Sequence, residues 1–216
     1  MTYIDYLSEV ISKAKTGDPI YSKQLSKKVE DTFNLDHKSG AAAVAVAIKR
    51  ILENNIIPDL RVYQKGIYYR TGKTVFGEMG INEYKLIADK YLADNEGYET
   101  GPAILYKLGL TSQMPKQRLL ATNAAKGCMR IDKKLGVVVK LPKVKVTAEN
   151  KAYLQILDVL DIMDDMPIDE KKPFLVIADH IKNQNLRYDR LLALANKHYN
   201  QKTVLKLAHT ASEGVY

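Results

Sequence analysis

The chain of 216 residues has a single cysteine, Cys128, so no internal disulfide can form, which fits a reducing compartment. It has no long hydrophobic run. The longest, Ala41 to Ile48, falls far short of the roughly 20 residues that a membrane helix needs. The N-terminus, MTYIDYLSEV, carries acids where a secretory signal would carry a basic segment, so the expectation is a cytoplasmic protein without a membrane partner. His37, His180, His198 and His209 fall at no metal-ligand spacing, and no serine sits in a nucleophile elbow. GIYYRTGKT, from Gly66 to Thr74, resembles a phosphate-binding loop but misses its spacing by one residue. It also lacks the flanking strand and helix. These absences point to a non-enzyme without metal or cofactor.

What is present is a 46% hydrophobic content, enough for a packed core, and a net charge of +8. The charge is uneven. Residues 1–75 carry 12 basic and 8 acidic side chains, residues 76–150 the same, and residues 151–216 carry 9 of each. A basic excess in the first two thirds favours a polyanion such as nucleic acid.

The local patterns have an order. Apolar spacing predicts helices over Tyr3 to Lys15, Tyr21 to Asp31 and about Ser39 to Asn55, with Ser22 as a cap of the second. Leu60 to Gln64 and Ile67 to Arg70 read as strands joined at Lys65-Gly66, where the turn needs a positive φ. Thr71 to Met79 reads as a glycine-rich linker, and residues 80–93 as helical. Strands follow at Arg118 to Thr122, Met129 to Asp132 and Val137 to Leu141, after a short helix from Pro102 to Leu108. From Thr147 the pattern is helical, with breaks near Pro167, Asn183-Asn185 and Asn200. The expected fold is α+β. A winged helix-turn-helix domain occupies 1–75, and a small α/β domain occupies 76–216, with its sheet at about 101–145 and a helical tail at about 147–210.

A winged helix-turn-helix commonly docks a helix in the major groove and its wing on the backbone. The candidate DNA-binding residues are Ser22, Lys23, Lys27, Lys38, Ser39, Lys49 and Arg50 on or near the second and third helices, and Arg61, Lys65 and Arg70 on the wing. The lysines and arginines would neutralise phosphates, and the serines would donate to them. Of Tyr63, Tyr68 and Tyr69 on the ribbon, at least one is expected in the core. Asp158, Asp161, Asp164 and Asp165, followed by Asp169 and Glu170, have the chemistry for a divalent metal. The favoured reading is a solvated acidic face opposite Ile156, Leu157, Leu160 and Met163.

GPAILYKLGLTSQMPKQRLLATN, from Gly101 to Asn123, resembles the signature of AbiEi-type antitoxins, most closely a shorter branch of unknown function. That branch has an alanine-leucine, arginine-leucine helix, an arginine-glycine-tyrosine wing and a leucine-glycine-leucine-threonine-threonine-glutamine-valine-proline loop. Here stand Ala47-Ile48, Arg50-Ile51, Lys65-Gly66-Ile67-Tyr68, and Leu108 through Pro115. The resemblance covers residues 20 to 145. It implies an antitoxin of a type IV toxin–antitoxin, or abortive infection, system that binds its own promoter DNA as an autorepressor. Its functional pair would be a nucleotidyltransferase-like toxin.

Ala42, Ala45 and Val46 depart from the polar residues that such a helix usually carries, so hydrogen bonding to base edges would be poor. Either specificity rests on Lys38, Ser39, Lys49 and the wing, or those residues pack elsewhere. In the second case the chain is a protein-interaction module whose acidic C-terminal helix meets a basic partner. A transcriptional regulator outside a toxin–antitoxin operon is the remaining alternative.

Overall fold

The computed structural model describes residues 1–214, a mixed α+β chain in two compact units, Met1–Leu86 and Ile87–Tyr216. The sequence boundary at 75/76 lies earlier than this division. Residues 76–85 stay with the first unit because Thr71 Oγ1 donates to the Met79 carbonyl, Asn82 N–H to Gly17, and Lys85 pairs with Asp18 at 2.6 Å.

The first unit contains α1 (Tyr3–Ser12), β1 (Ile20–Tyr21), α2 (Ser22–Phe33), α3 (His37–Glu53), β2 (Leu60–Gln64) and β3 (Ile67–Arg70). Thr2 and Asp5 cap α1 reciprocally. Leu7 and Ile11 of α1, Leu25 and Val29 of α2, and Val44, Ile48 and Ile51 of α3 meet in one core. Leu60 and the partly buried Tyr68 close it from the sheet, which gives Tyr68 the core role foreseen for one ribbon tyrosine. The strand order is β1-β3-β2, all antiparallel. Gly66 has φ +82 at the β2–β3 turn, as that turn requires.

Three local expectations change. Ser22 does not cap α2. Tyr21 holds the cap position without a side-chain bond, and the Ser22 N–H goes to the Gly66 carbonyl at 2.9 Å. The third helix begins at His37, because the Asp36 carboxylate accepts the Lys38 and Ser39 N–H groups at 2.9 and 3.1 Å. The supposed linker is a second hairpin, β4 (Lys73–Thr74) with β5 (Gly77–Glu78). After it comes α4 (Glu83–Ile87); the expected helix over 80–93 then widens into a π turn at Ala88–Leu92.

The second unit is built on a four-stranded sheet, β6 (Gly97–Thr100), β7 (Arg118–Thr122), β9 (Val137–Lys140) and β8 (Arg130–Asp132) in that spatial order. β7 and β9 run parallel, and the other neighbours run antiparallel. The first of these strands has no counterpart in the sequence reading, because Gly-Tyr-Glu-Thr is buried at every position and shows no alternation. Along β7, Leu120 and Ala121 point to opposite faces and enter separate apolar clusters. α5 (Pro102–Lys107) follows β6. The helical tail comprises α6 (Lys151–Ile162), α7 (Pro173–Asn183), α8 (Tyr188–His198) and α9 (Gln201–Glu213).

Gly97 is required by close approach. A Cβ there would lie 2.2 Å from the Tyr91 carbonyl oxygen and 2.9 Å from Thr122 Cβ. Gly97→Ala should therefore lower unfolding stability by about 1–3 kcal/mol, read as a lower urea midpoint with an unchanged slope.

Candidate nucleic-acid interface

The β2–β3 turn is stitched to the start of α2. Besides the Ser22–Gly66 backbone bond, a Cβ on Gly66 would stand 3.0 Å from Ser22 Oγ. Ser22 and Lys23 at the helix N-terminus and Lys65 at the hairpin tip are therefore local neighbours. Backbone N–H groups and lysines together suit an anionic oxygen. Lys23, Lys27, Lys38 and Lys65 are exposed and form no ion pair among the described residues.

Other candidates are differently placed. Arg70 is structural: its Nε donates to Asp59 at 2.9 Å, and its guanidinium also reaches the carbonyls of Ser12 and Ala14, tying β3 to the end of α1. Arg61 donates to the Pro58 and Leu60 carbonyls and pairs with Glu78 at 3.2 Å. Ser39 Oγ is spent on Asp36, which holds the Asp36 carboxyl below its usual range. Lys49 meets Glu53 at 3.6 Å in an exposed pair worth little, so its charge remains accessible.

The exposed side of α3 carries few polar groups. Ala41, Ala42 and Ala45 are exposed, as is Val46 at 52%. Lys38, Ala41, Ala45 and Lys49 recur at three and four residues along the exposed side; Ala43, Ala47 and Arg50 share another flank, on which Ala43 is half-buried, Ala47 is buried in the core and only Arg50 is exposed. Arg50 thus stands apart from the lysine stripe. The segment Gly66–Thr74 runs through the hairpin turn, β3 and β4, so no helix follows it to receive a phosphate.

The expected solvated acidic face holds at Asp164, Asp165 and Asp169, which are exposed, and fails at Asp158. Asp158 is 1% exposed, on a helix whose residues from Ile156 to Leu160 are all buried. Its carboxylate accepts from Thr100 Oγ1 at 2.8 Å, Tyr199 OH at 2.8 Å and Tyr98 OH at 3.3 Å, and pairs with Lys140 at 3.0 Å. Burial beside this carboxylate pushes the Tyr98 and Tyr199 phenols far above their ordinary range, so both remain donors. One turn on, Asp161 takes Lys143, Asn200 and Thr203 at 2.7–3.0 Å. Burial raises its pKa, but the bonds from Lys143 and Thr203 outweigh that and hold it low. On β6, Glu99 is bound by Lys107 and Arg118.

These carboxylates are tied to cations and hydroxyls. Among the described residues no group of three or more His, Cys, Asp or Glu side chains can hold a metal. Nothing local in the sequence announces the arrangement. Lys140 and Tyr98 lie on strands far along the chain, and only the fold brings them to Asp158. No protein-family model matches the chain, and no curated protein matches it. No helix among the described residues is long and apolar enough to cross a membrane.

Asp158→Ala should cost about 3–5 kcal/mol, because it leaves Lys140 unpaired and the hydroxyls without their acceptor. Denaturant unfolding of the full chain measures it. A second test uses pH. Burial opposes ionisation of Asp132, but bonds from Lys90 and Tyr91 prevail and lower its pKa from 3.8 to about 2. A depressed folded-state pKa gives stability that is present above the unfolded value and lost as pH falls through the folded one. Unfolding midpoints should therefore fall from about pH 4 toward pH 2, with a shallower fall in Asp132→Asn.

Proposed function

We propose that the chain is a non-enzymatic, cytoplasmic antitoxin of the AbiEi type that represses its own promoter. On this reading the first unit is a winged helix-turn-helix, with α3 presented to the major groove and the β2–β3 hairpin as its wing. The observation that carries it is the element order α1-β1-α2-α3-β2-β3 with strand order β1-β3-β2, the hairpin tip being stitched to the lysine-bearing N-terminus of α2. Lys23, Lys38 and Lys65 are then the leading phosphate contacts, with Lys27 and Lys49 beside them. Arg70 is removed from the interface, and Arg61 contributes less than its position on the wing suggested.

The antitoxin half rests on the resemblance of Gly101 to Asn123. In the second unit this segment forms α5, the loop after it and β7. The loop is held by Asp169, whose carboxylate accepts the Ser112 N–H and Oγ at 2.7 and 2.6 Å, while the Leu110 carbonyl accepts the Asp169 N–H. A defined loop of this kind is suited to presenting one shape to a partner, and we assign the countering of a nucleotidyltransferase-like toxin to the second unit. A competing reading, an interaction module without DNA binding, draws on the exposed Ala42, Ala45 and Val46.

Fluorescence anisotropy on a duplex taken from upstream of the chain's own gene separates the two. Binding should weaken steeply between about 50 and 200 mM salt. Lys23→Ala, Lys38→Ala and Lys65→Ala should each reduce the log–log salt slope by about 0.9. Arg70→Ala should instead lower stability and leave the slope of the folded protein unchanged. Affinity and slope unaltered in the triple lysine variant would overturn the interface; absence of any salt-dependent binding would favour the interaction module.

A further inference from the structure

The four-stranded sheet of the second unit has one open edge. β6, at one end of the order, is buried along its whole length, and Gln155 Nε2 donates to its Glu99 carbonyl at 2.7 Å. β8, at the other end, is different. Met129 is 62% exposed and Ile131 56%, and Arg130 is exposed between them. Beyond the ladder with β9, no hydrogen bond engages Met129, Arg130 or Ile131 among the described residues. The outer edge of β8 therefore offers bare N–H and C=O groups of the kind that take up a further strand.

The register fixes which side chains a further strand would meet. Arg130 pairs with Val139, Ile131 with Val138 and Asp132 with Val137. Val137 and Val139 face the cluster of Ile87 and Tyr91, so Arg130 and Asp132 lie on that face. Ile131 lies on the opposite one, beside the half-buried Val138. Asp132 is already held by Lys90 and Tyr91, each at 2.7 Å. Arg130 forms no ion pair among the described residues, nor do Lys126, in the loop before β8, and Lys133, in the turn after it. The edge thus alternates, a cation on one face and an exposed isoleucine on the other, with further cations at both ends.

We propose that β8 takes up an extended segment of a protein partner, one that alternates apolar and acidic residues. Its apolar side chains lie beside Ile131 and its carboxylates beside Arg130, because directly opposed residues share a face. Charge decides between occupants. Residues 126–134 carry four basic side chains, Lys126, Arg130, Lys133 and Lys134, and one acid, Asp132, which is engaged. Two copies joined along this edge would crowd twice that number of cations together, whereas an acidic segment neutralises them. A nucleic acid would use the cations, but it would leave Ile131 and Met129 unmatched, and its phosphate oxygens would meet edge carbonyls. A three-residue strand with its flanks makes a small contact, of the size seen in weak and transient encounters. This docking is independent of DNA binding by the first unit and of whether the partner is a toxin.

Fluorescence anisotropy of the full chain with a short labelled peptide of alternating valine and glutamate tests it. Binding should weaken as salt is raised. The same peptide N-methylated at every backbone amide keeps its charges but cannot join a ladder, and it should not bind. Arg130→Glu and Ile131→Lys should each weaken binding by about tenfold with unchanged circular dichroism, since both side chains are exposed. On the parent chain, the peptide should slow amide hydrogen exchange within residues 126–134 and nowhere in the first unit. No binding of the peptide, equal binding of its methylated form, or protection elsewhere would overturn the docking. So would a parent dimer that Ile131→Lys dissociates, or oligothymidylate binding that Arg130→Glu abolishes. Loss of DNA binding in the Lys23, Lys38 and Lys65 variants has no bearing on these readouts.

Discussion

The second unit depends on one buried charge. A carboxylate at the position of Asp158 is expensive to remove from water, and the expense is offset only if its lone pairs are all engaged. Thr100 and Tyr98 come from β6, Lys140 from the end of β9, and Tyr199 from the chain after α8. Satisfying this group therefore fixes where three separate parts of the chain must stand around α6. Asp161 repeats the arrangement one turn later with Lys143 and Thr203, so the tail is joined to the sheet region by directional bonds as well as by apolar packing. Such a network specifies arrangement more than it adds stability.

The first unit is organised differently. Its core is apolar, and its polar bonds lie at the edges, where they set the ends of elements. Arg70 fastens β3 to the end of α1; Asp36 starts α3; the Ser22–Gly66 bond fastens the hairpin to α2. These bonds use some residues that a charge count alone offers to DNA, and leave Lys23, Lys27, Lys38 and Lys65 unpaired among the described residues. In the proposed function the unpaired lysines supply affinity, and the bonded ones hold the shape that aims them.

The sequence was legible where physics is local. Apolar periodicity located α1, α2 and α3, and the pair Lys65-Gly66 located the β2–β3 turn. The short helix foreseen from Pro102 to Leu108 is there as α5, and Gly109, with φ +73, follows its end. What was illegible depends on distant partners. Asp158 has a surface residue's chemistry and a helix's spacing, and only Lys140 and the three hydroxyls make it a core residue. β6 was missed because a strand buried on both faces does not alternate. The β4–β5 hairpin was missed because two-residue strands leave no pattern, and glycines read as a linker. Arg70 was assigned to DNA by its position, whereas Asp59 and two backbone carbonyls already engage it.

The central claim is that the first unit holds duplex DNA by the lysines around α2, α3 and the β2–β3 hairpin. Hydroxyl-radical footprinting of the region upstream of the chain's own gene tests it most directly. The account predicts protected backbone positions on two adjacent stretches across one groove, from the helices and the hairpin, and their loss in a Lys23→Ala, Lys38→Ala, Lys65→Ala variant. Uniform cleavage with the parent protein, or a footprint unaltered in that variant, would contradict it.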